Sequence, residues 1–130
     1  ILDVVKAYKD YSILGHLDVI KRYDLNGEIE LEKIKDLIEQ IFEVVIADGK
    51  GIELNTSSRA YHLKSLMPSR EILELYHDMG GKIITIGSDA HNADRVGDRV
   101  MESQKILKEI GFNGIYTFDQ MKPKFHEFKF

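Results

Sequence analysis

The chain has no cysteine among its 130 residues. That excludes a disulfide framework and any zinc site built on thiolates. A metal here must be held by His, Asp, Glu and water. A basic excess is also missing: the formal net charge is -4, which argues against a nucleic-acid module. No apolar run approaches the roughly 20 residues of a membrane span, and no signal-peptide pattern is visible. The chain therefore reads as cytoplasmic, with neither nucleic acid nor membrane as partner. Internal repeats, linkers and low-complexity stretches are absent too. What is present is a hydrophobic fraction of 43%, enough for one packed core, and 31% charged residues of mixed sign.

The order of patterns predicts strands alternating with helices. Residues 1–9 read as the tail of a helix, and residues 12–17 as a short strand running into Gly15-His16-Leu17-Asp18. Over residues 30–48, Leu31, Ile34, Ile38, Ile41 and Val45 recur at helical spacing and form one apolar stripe. Asp48-Gly49-Lys50-Gly51 stops that helix, since glycine readily takes the left-handed conformation past a helix end. Residues 52–55 alternate as a strand, with Ile52 and Leu54 on one face and Glu53 and Asn55 on the other. A polar loop covers residues 56–67. Pro68-Ser69-Arg70-Glu71 opens the next helix, with Ser69 as its cap and Gly80-Gly81 as its end. Residues 82–86 form a nearly continuous apolar strand of the kind buried on both faces. It delivers Gly87-Ser88-Asp89-Ala90-His91. Asn92 or Asp94 is predicted to cap a third helix bearing Val96, Val100, Leu107 and Ile110. Residues 115–118 and 124–129 read as the last strands.

Such β-α alternation implies parallel strands joined by crossovers, in an open sheet or a barrel. In both, functional groups collect at the carboxyl ends of the strands. His16, Asp18, Asn55, Asp89 and His91 all fall at such ends.

Asp89-Ala90-His91 carries the clearest chemistry. Alternate residues of an extended segment point to the same side, so one carboxylate and one imidazole can converge on a single ion. Oxygen with nitrogen donors suits zinc, manganese or iron. His16 and Asp18 repeat the spacing at another strand end. The bland reading of each pair is a helix cap or a satisfied loop. Lys21-Arg22 follows, and Arg matches phosphate with a forked contact; the bland reading is a solvated charge. The loop Thr56-Ser57-Ser58-Arg59 offers hydroxyls and amides for an anion, or is simply a connection. His77 reads as a helix-surface residue and His126 as part of an edge strand. His62, in the polar loop, is a lesser candidate for substrate contact.

Four stretches, in order, resemble a known family: Gly15-His16-Leu17-Asp18-Val19-Ile20-Lys21-Arg22-Tyr23, Glu53-Leu54-Asn55-Thr56-Ser57, Pro68-Ser69-Arg70-Glu71-Ile72-Leu73 and Ile86-Gly87-Ser88-Asp89-Ala90-His91. They resemble the C-terminal half of the polymerase-and-histidinol-phosphatase (PHP) superfamily, and within it the monofunctional histidinol-phosphatases of histidine biosynthesis. The resemblance implies a distorted (β/α)7 TIM-like barrel with two or three divalent metal ions (zinc, manganese or iron) at the strand ends. It implies His16, Asp89 and His91 as metal ligands and Arg22 as the phosphate contact. Lys21, Ser57 and Arg59 are further substrate-binding candidates, although the order Ser58-Arg59-Ala60 departs from the family's glycine-then-basic pattern. Asp89 and His91 are also the catalytic candidates.

The family's remaining ligands lie in N-terminal motifs, a His-x-His pair among them, that these residues do not contain. A barrel of the common eight-stranded type needs about 250 residues, so residues 1–130 are expected to be one partial domain. The implied activity is hydrolysis of L-histidinol phosphate to L-histidinol and phosphate by the parent enzyme. Two alternatives stand beside it. One is another phosphoesterase or nuclease of the same superfamily. The other is an inactive fragment that only binds metal and self-associates.

Overall fold

Along each strand, the alternation of side chains decides which face meets the helices and which is left for chemistry. The computed structural model describes residues 1–23, 29–63 and 65–130, without the side chains of Ile20 and Arg22. Its elements are α1 (Leu2–Ala7), β1 (Ile13–Leu14), α2 (Leu31–Ala47), β2 (Gly51–Asn55), α3 (Arg70–Asp78), β3 (Ile84–Gly87), α4 (Val100–Ile110), β4 (Gly114–Asp119) and β5 (Lys122–Glu127). Single 3-10 turns occupy Val19–Tyr23, Ser57–Tyr61 and Ala93–Arg95.

The first three strands form a parallel sheet in the order β1-β2-β3. Ile13 lies beside Gly51 and Leu14 beside Ile52. Ile52 pairs with Ile84, Glu53 with Thr85 and Asn55 with Gly87. Registered neighbours share a face. Leu14, Ile52, Leu54, Ile84 and Ile86 therefore look one way, and Glu53, Asn55, Thr85 and Gly87 the other. Gly15, just past β1, continues the second set.

The apolar face carries the core. Ile52, Leu54 and Ile84 are fully buried beneath Ile38, Ile41, Phe42 and Val45 of α2, Ile72, Leu73 and Tyr76 of α3 and Leu107 of α4. Burying one such aliphatic side chain contributes about 1.5–3 kcal/mol. The predicted α2 stripe is the buried one, and Gly49 stops the helix at a φ of 67°. The Phe42 and Tyr76 rings meet edge to face with centroids 5.0 Å apart. The Tyr76 hydroxyl donates to the Ile83 carbonyl at 2.9 Å. Burial pushes the pKa of this phenol up, so it stays a donor. Gly81 is needed here because a Cβ would overlap the Tyr76 ring.

Three expectations need correction. The strand expected at residues 82–86 is not buried on both faces: only Ile84 is fully buried, because helices cover one side of the sheet. The third long helix starts at Val100 rather than at Asn92 or Asp94. Gly97 and Arg99, at φ of 75° and 58°, turn the chain first, and Val96 is left 75% exposed. The last strands are not parallel members of the main sheet. β4 and β5 pair antiparallel as a separate hairpin, joined through Gln120 and Met121, both at positive φ, as short hairpin turns require. The architecture is thus mixed α/β around a parallel sheet, and the described strands form no closed sheet.

Candidate functional site

The polar face of the sheet leads to a cluster at the carboxyl ends of β2 and β3. Asn55 ends β2 and is 1% exposed. Its Oδ1 accepts two hydrogen bonds, from the Ser57 amide at 2.9 Å and the Ser57 hydroxyl at 2.5 Å. With the oxygen engaged, the amide group is oriented, and Nδ2 donates to Asp89 Oδ2 at 3.4 Å. The other Asp89 oxygen stands 3.6 Å from His91 Nε2. Two donors on one ion at about 2.0–2.2 Å each can be no more than about 4.4 Å apart. The carboxylate and the imidazole therefore fit one cation.

The loop bearing this pair is anchored at both ends. The Thr56 amide donates to the Gly87 carbonyl at 2.9 Å, and the Thr56 hydroxyl to the Asp98 carbonyl at 2.6 Å. The Gly97 amide donates to the Ser88 hydroxyl at 3.2 Å. Asp89 itself sits at a φ of 48°, and His16 at 52°. Left-handed backbone is uncommon outside glycine, least so for Asn, Asp and His. It costs of order 1–3 kcal/mol, and such residues cluster at functional sites. Two of the three candidate ligands, His16 and Asp89, are held this way.

His16 stands apart from the pair. It follows β1, and β2 lies between β1 and β3. Among the described residues, no three His, Asp or Glu side chains gather closely enough to hold a metal. The structure thus brings Asp89 and His91 together and leaves His16, an exposed residue, outside their group.

Lys21 has a different place from the one its charge suggested. Its side chain is 1% exposed, and its ammonium lies 2.8 Å from Asp18 Oδ2, whose side chain is 3% exposed. It also donates to the Leu66 carbonyl and to the Ser65 hydroxyl at 3.2 Å. The same Asp18 oxygen accepts from the Ser69 amide at 3.2 Å. Asp18 therefore caps the α3 end where Ser69 was expected to, and the Ser69 side chain makes no capping bond. As a substrate contact Lys21 is corrected: no anion reaches a buried ammonium already shared among three acceptors. Asp18 and Lys21 instead fasten the turn between His16 and Arg22 to the start of α3.

Among the remaining candidates, Ser57 is buried against Asn55, so it acts on the site through that amide. Arg59 is exposed on the 3-10 turn Ser57–Tyr61. The Arg22 side chain lies outside the described residues. His62 is exposed at the end of that turn. His77 packs edge-on against Phe112 at 4.9 Å, and His126 meets the Thr117 hydroxyl across the hairpin at 2.7 Å. The orienting role of Asn55 was not read from the sequence. The signal was its place beyond Glu53 on the polar face of β2.

Fold and site together define a class: an α/β protein with a carboxylate and an imidazole converging at the carboxyl ends of parallel strands, where such sheets carry their sites. No family model matches the chain, but relatives do. It is 35% identical over 102 residues to a probable histidinol-phosphatase of Thermotoga maritima, a match spanning 78% of this chain and 42% of that protein. It is 30% identical over 124 residues to the histidinol-phosphatase of Lactococcus lactis subsp. lactis, spanning 93% and 45%. A crystal structure of histidinol phosphate phosphatase from the same Lactococcus, complexed with zinc, L-histidinol and phosphate, superposes with a TM-score of 0.79 at 26% identity, covering 95% of this chain and 47% of that one. The chain spans about half the length of the curated relatives it matches. In sequence and in fold it is related to the histidinol-phosphatases, as its motifs implied.

Proposed function

We propose that the chain carries one side of the active site of a metal-dependent phosphomonoesterase that hydrolyses L-histidinol phosphate. The observation that supports this best is the Asp89–His91 pair, aligned by Asn55, in a chain related to histidinol-phosphatases. In this reading residues 1–130 form the C-terminal half of a distorted (β/α)7 barrel. Asp89 and His91 hold a divalent cation, and His16, across β2 from them, is a donor for another ion of the cluster. Zinc, manganese and iron all suit oxygen with nitrogen donors, and the Lactococcus neighbour was crystallised with zinc. A bound cation of this kind neutralises phosphoryl oxygens and acidifies water. Arg22 binds the phosphate, and Arg59 flanks it. Asn55 keeps the Asp89 carboxylate turned toward His91, with Ser57 holding Asn55 in turn.

The pair of donors also favours a second statement about the chain by itself. Among the described residues no third donor joins Asp89 and His91, so the rest of a catalytic metal shell must come from elsewhere. The 130-residue chain alone is expected to release no phosphate from L-histidinol phosphate. It is also expected to self-associate, because β1 leaves a sheet edge and Val4, Leu37 and Phe125 are exposed. Light scattering on the purified chain checks the second point.

The function is tested in the full-length protein with added zinc or manganese, offered L-histidinol phosphate beside a dinucleotide. Phosphate release from the monoester alone is the expected result. Cleavage of the dinucleotide in its place would make the protein a nuclease of the same superfamily, and turnover of neither would sink the hydrolase reading.

A further inference from the structure

Glu53 occupies the middle of β2 on the polar face of the sheet, one pleat before Asn55. That is a step of about 6.6 Å along the strand. The strands on either side make room for it. Glu53 Oε1 comes so near Gly87 that a Cβ there would clash with it, and Oε2 lies 3.3 Å from where a Cβ on Gly15 would be. Both glycines belong to the site motifs: Gly15 precedes His16, and Gly87 stands two places before Asp89. Any side chain at Gly87 would evict the carboxylate. The two glycines thus form a slot that admits an acidic group beneath the Asp89–His91 pair.

Among the described residues no basic group lines the slot. Among the described residues the Glu53 side chain has no ion pair and no hydrogen bond. Its neighbours on that face are Thr85, Asn55 and the two glycines, and none of them is basic. A partly buried carboxylate without a partner is costly, and such a group is well placed to meet a cation brought from outside. Among the described residues it does not gather with two other acidic or imidazole groups, and a single carboxylate suffices for the charge-assisted hydrogen bond of an organic cation.

We propose that Glu53 is a specificity-determining residue that binds the ammonium group of the amino-alcohol substrate. The proposal rests on the phosphatase reading above and deepens it. The phosphate end of the substrate is held by the groups at the strand ends. The carbon bearing the ammonium follows the phosphoester by one methylene, which keeps the positive charge close to the site and within the slot's reach. The carboxylate between Gly15 and Gly87 accepts the ammonium hydrogen bond. Phosphate monoesters without that charge gain nothing from Glu53.

The test compares L-histidinol phosphate with the imidazole alkyl phosphate that lacks the amine, in the full-length protein and its Glu53→Gln variant. Losing a charge-assisted hydrogen bond corresponds to about tenfold or more. Glu53→Gln should lower kcat/KM for L-histidinol phosphate by at least about tenfold, mostly through KM. The amine-free ester should change less than about threefold, and the metal content should not change. Glu53→Asp, which keeps the charge on a shorter arm, should retain part of the preference; it serves where Glu53→Gln accumulates poorly. A parallel fall for both esters, or no fall for either, overturns the assignment. Hydrolysis of neither ester by the unsubstituted protein overturns the phosphatase reading itself and is recognised before any variant is made.

Discussion

The two faces of β2 divide the protein's tasks. Ile52 and Leu54 point into the helix layer and are fully buried. Glu53 and Asn55, on the alternate positions, point to the open side and lead to Asp89 and His91. The helix side is close-packed, so a missing methylene there is felt as lost stability. The open side is built from oriented polar groups, and a change there is expected to be felt as lost chemistry. The comparison teaches that one five-residue strand can serve a core and a site because side chains alternate across a sheet.

Substitutions can break that division, and the largest effect is expected on the open side. Asp89→Ala or His91→Ala in the full-length protein should cut phosphate release to near background and lower bound metal, with little change in the thermal midpoint. Normal turnover and normal metal content in both variants would refute the site assignment.

The Asp18–Lys21 pair lies between the two regimes. Lys21→Met should destabilise by about 3–5 kcal/mol, because it leaves a buried carboxylate without its counter-charge. Among the described residues Asp18 Oδ1 lacks a partner, and the remaining anion keeps only the Ser69 amide on Oδ2. Urea denaturation measures this. A loss below about 1 kcal/mol, the worth of an exposed pair, would show that the pair is open to water.

On the helix side, Leu54→Ala should cost about 2–5 kcal/mol of stability. Any fall in activity should track the folded fraction and not the metal content. A lost metal at full folding would blur the two faces.

The smallest effect is expected at Tyr76. Tyr76→Phe removes one hydrogen bond to the Ile83 carbonyl, worth about 1 kcal/mol. Burial raises the folded-state pKa of this phenol. Its contribution is therefore whole below the ordinary tyrosine value of about 10 and is lost as pH climbs above it, since the unfolded chain ionises first. Stability measured from pH 8 to 11 should fall less steeply in Tyr76→Phe than in the parent. Identical slopes would place the phenol in contact with solvent.

How much of this was legible beforehand depended on whether the signal was local. The α2 stripe was legible because helical periodicity is written in neighbouring residues, and so was its stop at Gly49. Asp89 and His91 were legible as neighbours because they lie two residues apart just past a strand end. The extended backbone assumed for them is not what joins them, since Asp89 sits at a φ of 48°. The fate of Lys21 was not legible. Its sequence neighbour Arg22 suggested phosphate, whereas its acceptors at Ser65 and Leu66 lie far along the chain. The start of α4 was misplaced because Asn92 and Asp94 look like caps, while the positive φ of Gly97 and Arg99 redirects the chain after them. The last strands were recognised as strands, but not as a hairpin. Gln120 and Met121 carry no glycine or asparagine signal, yet both adopt the left-handed turn.

The sequence by itself determined the element types, the mixed α/β class and the kinship that its motifs carry, because propensity, periodicity and close spacing act between residues near in the chain. Only the tertiary structure decided that Asn55 aligns Asp89, that Lys21 is buried with Asp18, that His16 stands across β2 from the pair, and that Gly15 and Gly87 open a slot for Glu53. Each of those depends on strand order, on register or on a loop packed against a distant segment. These bring together residues that are distant in the chain, and no local pattern encodes them.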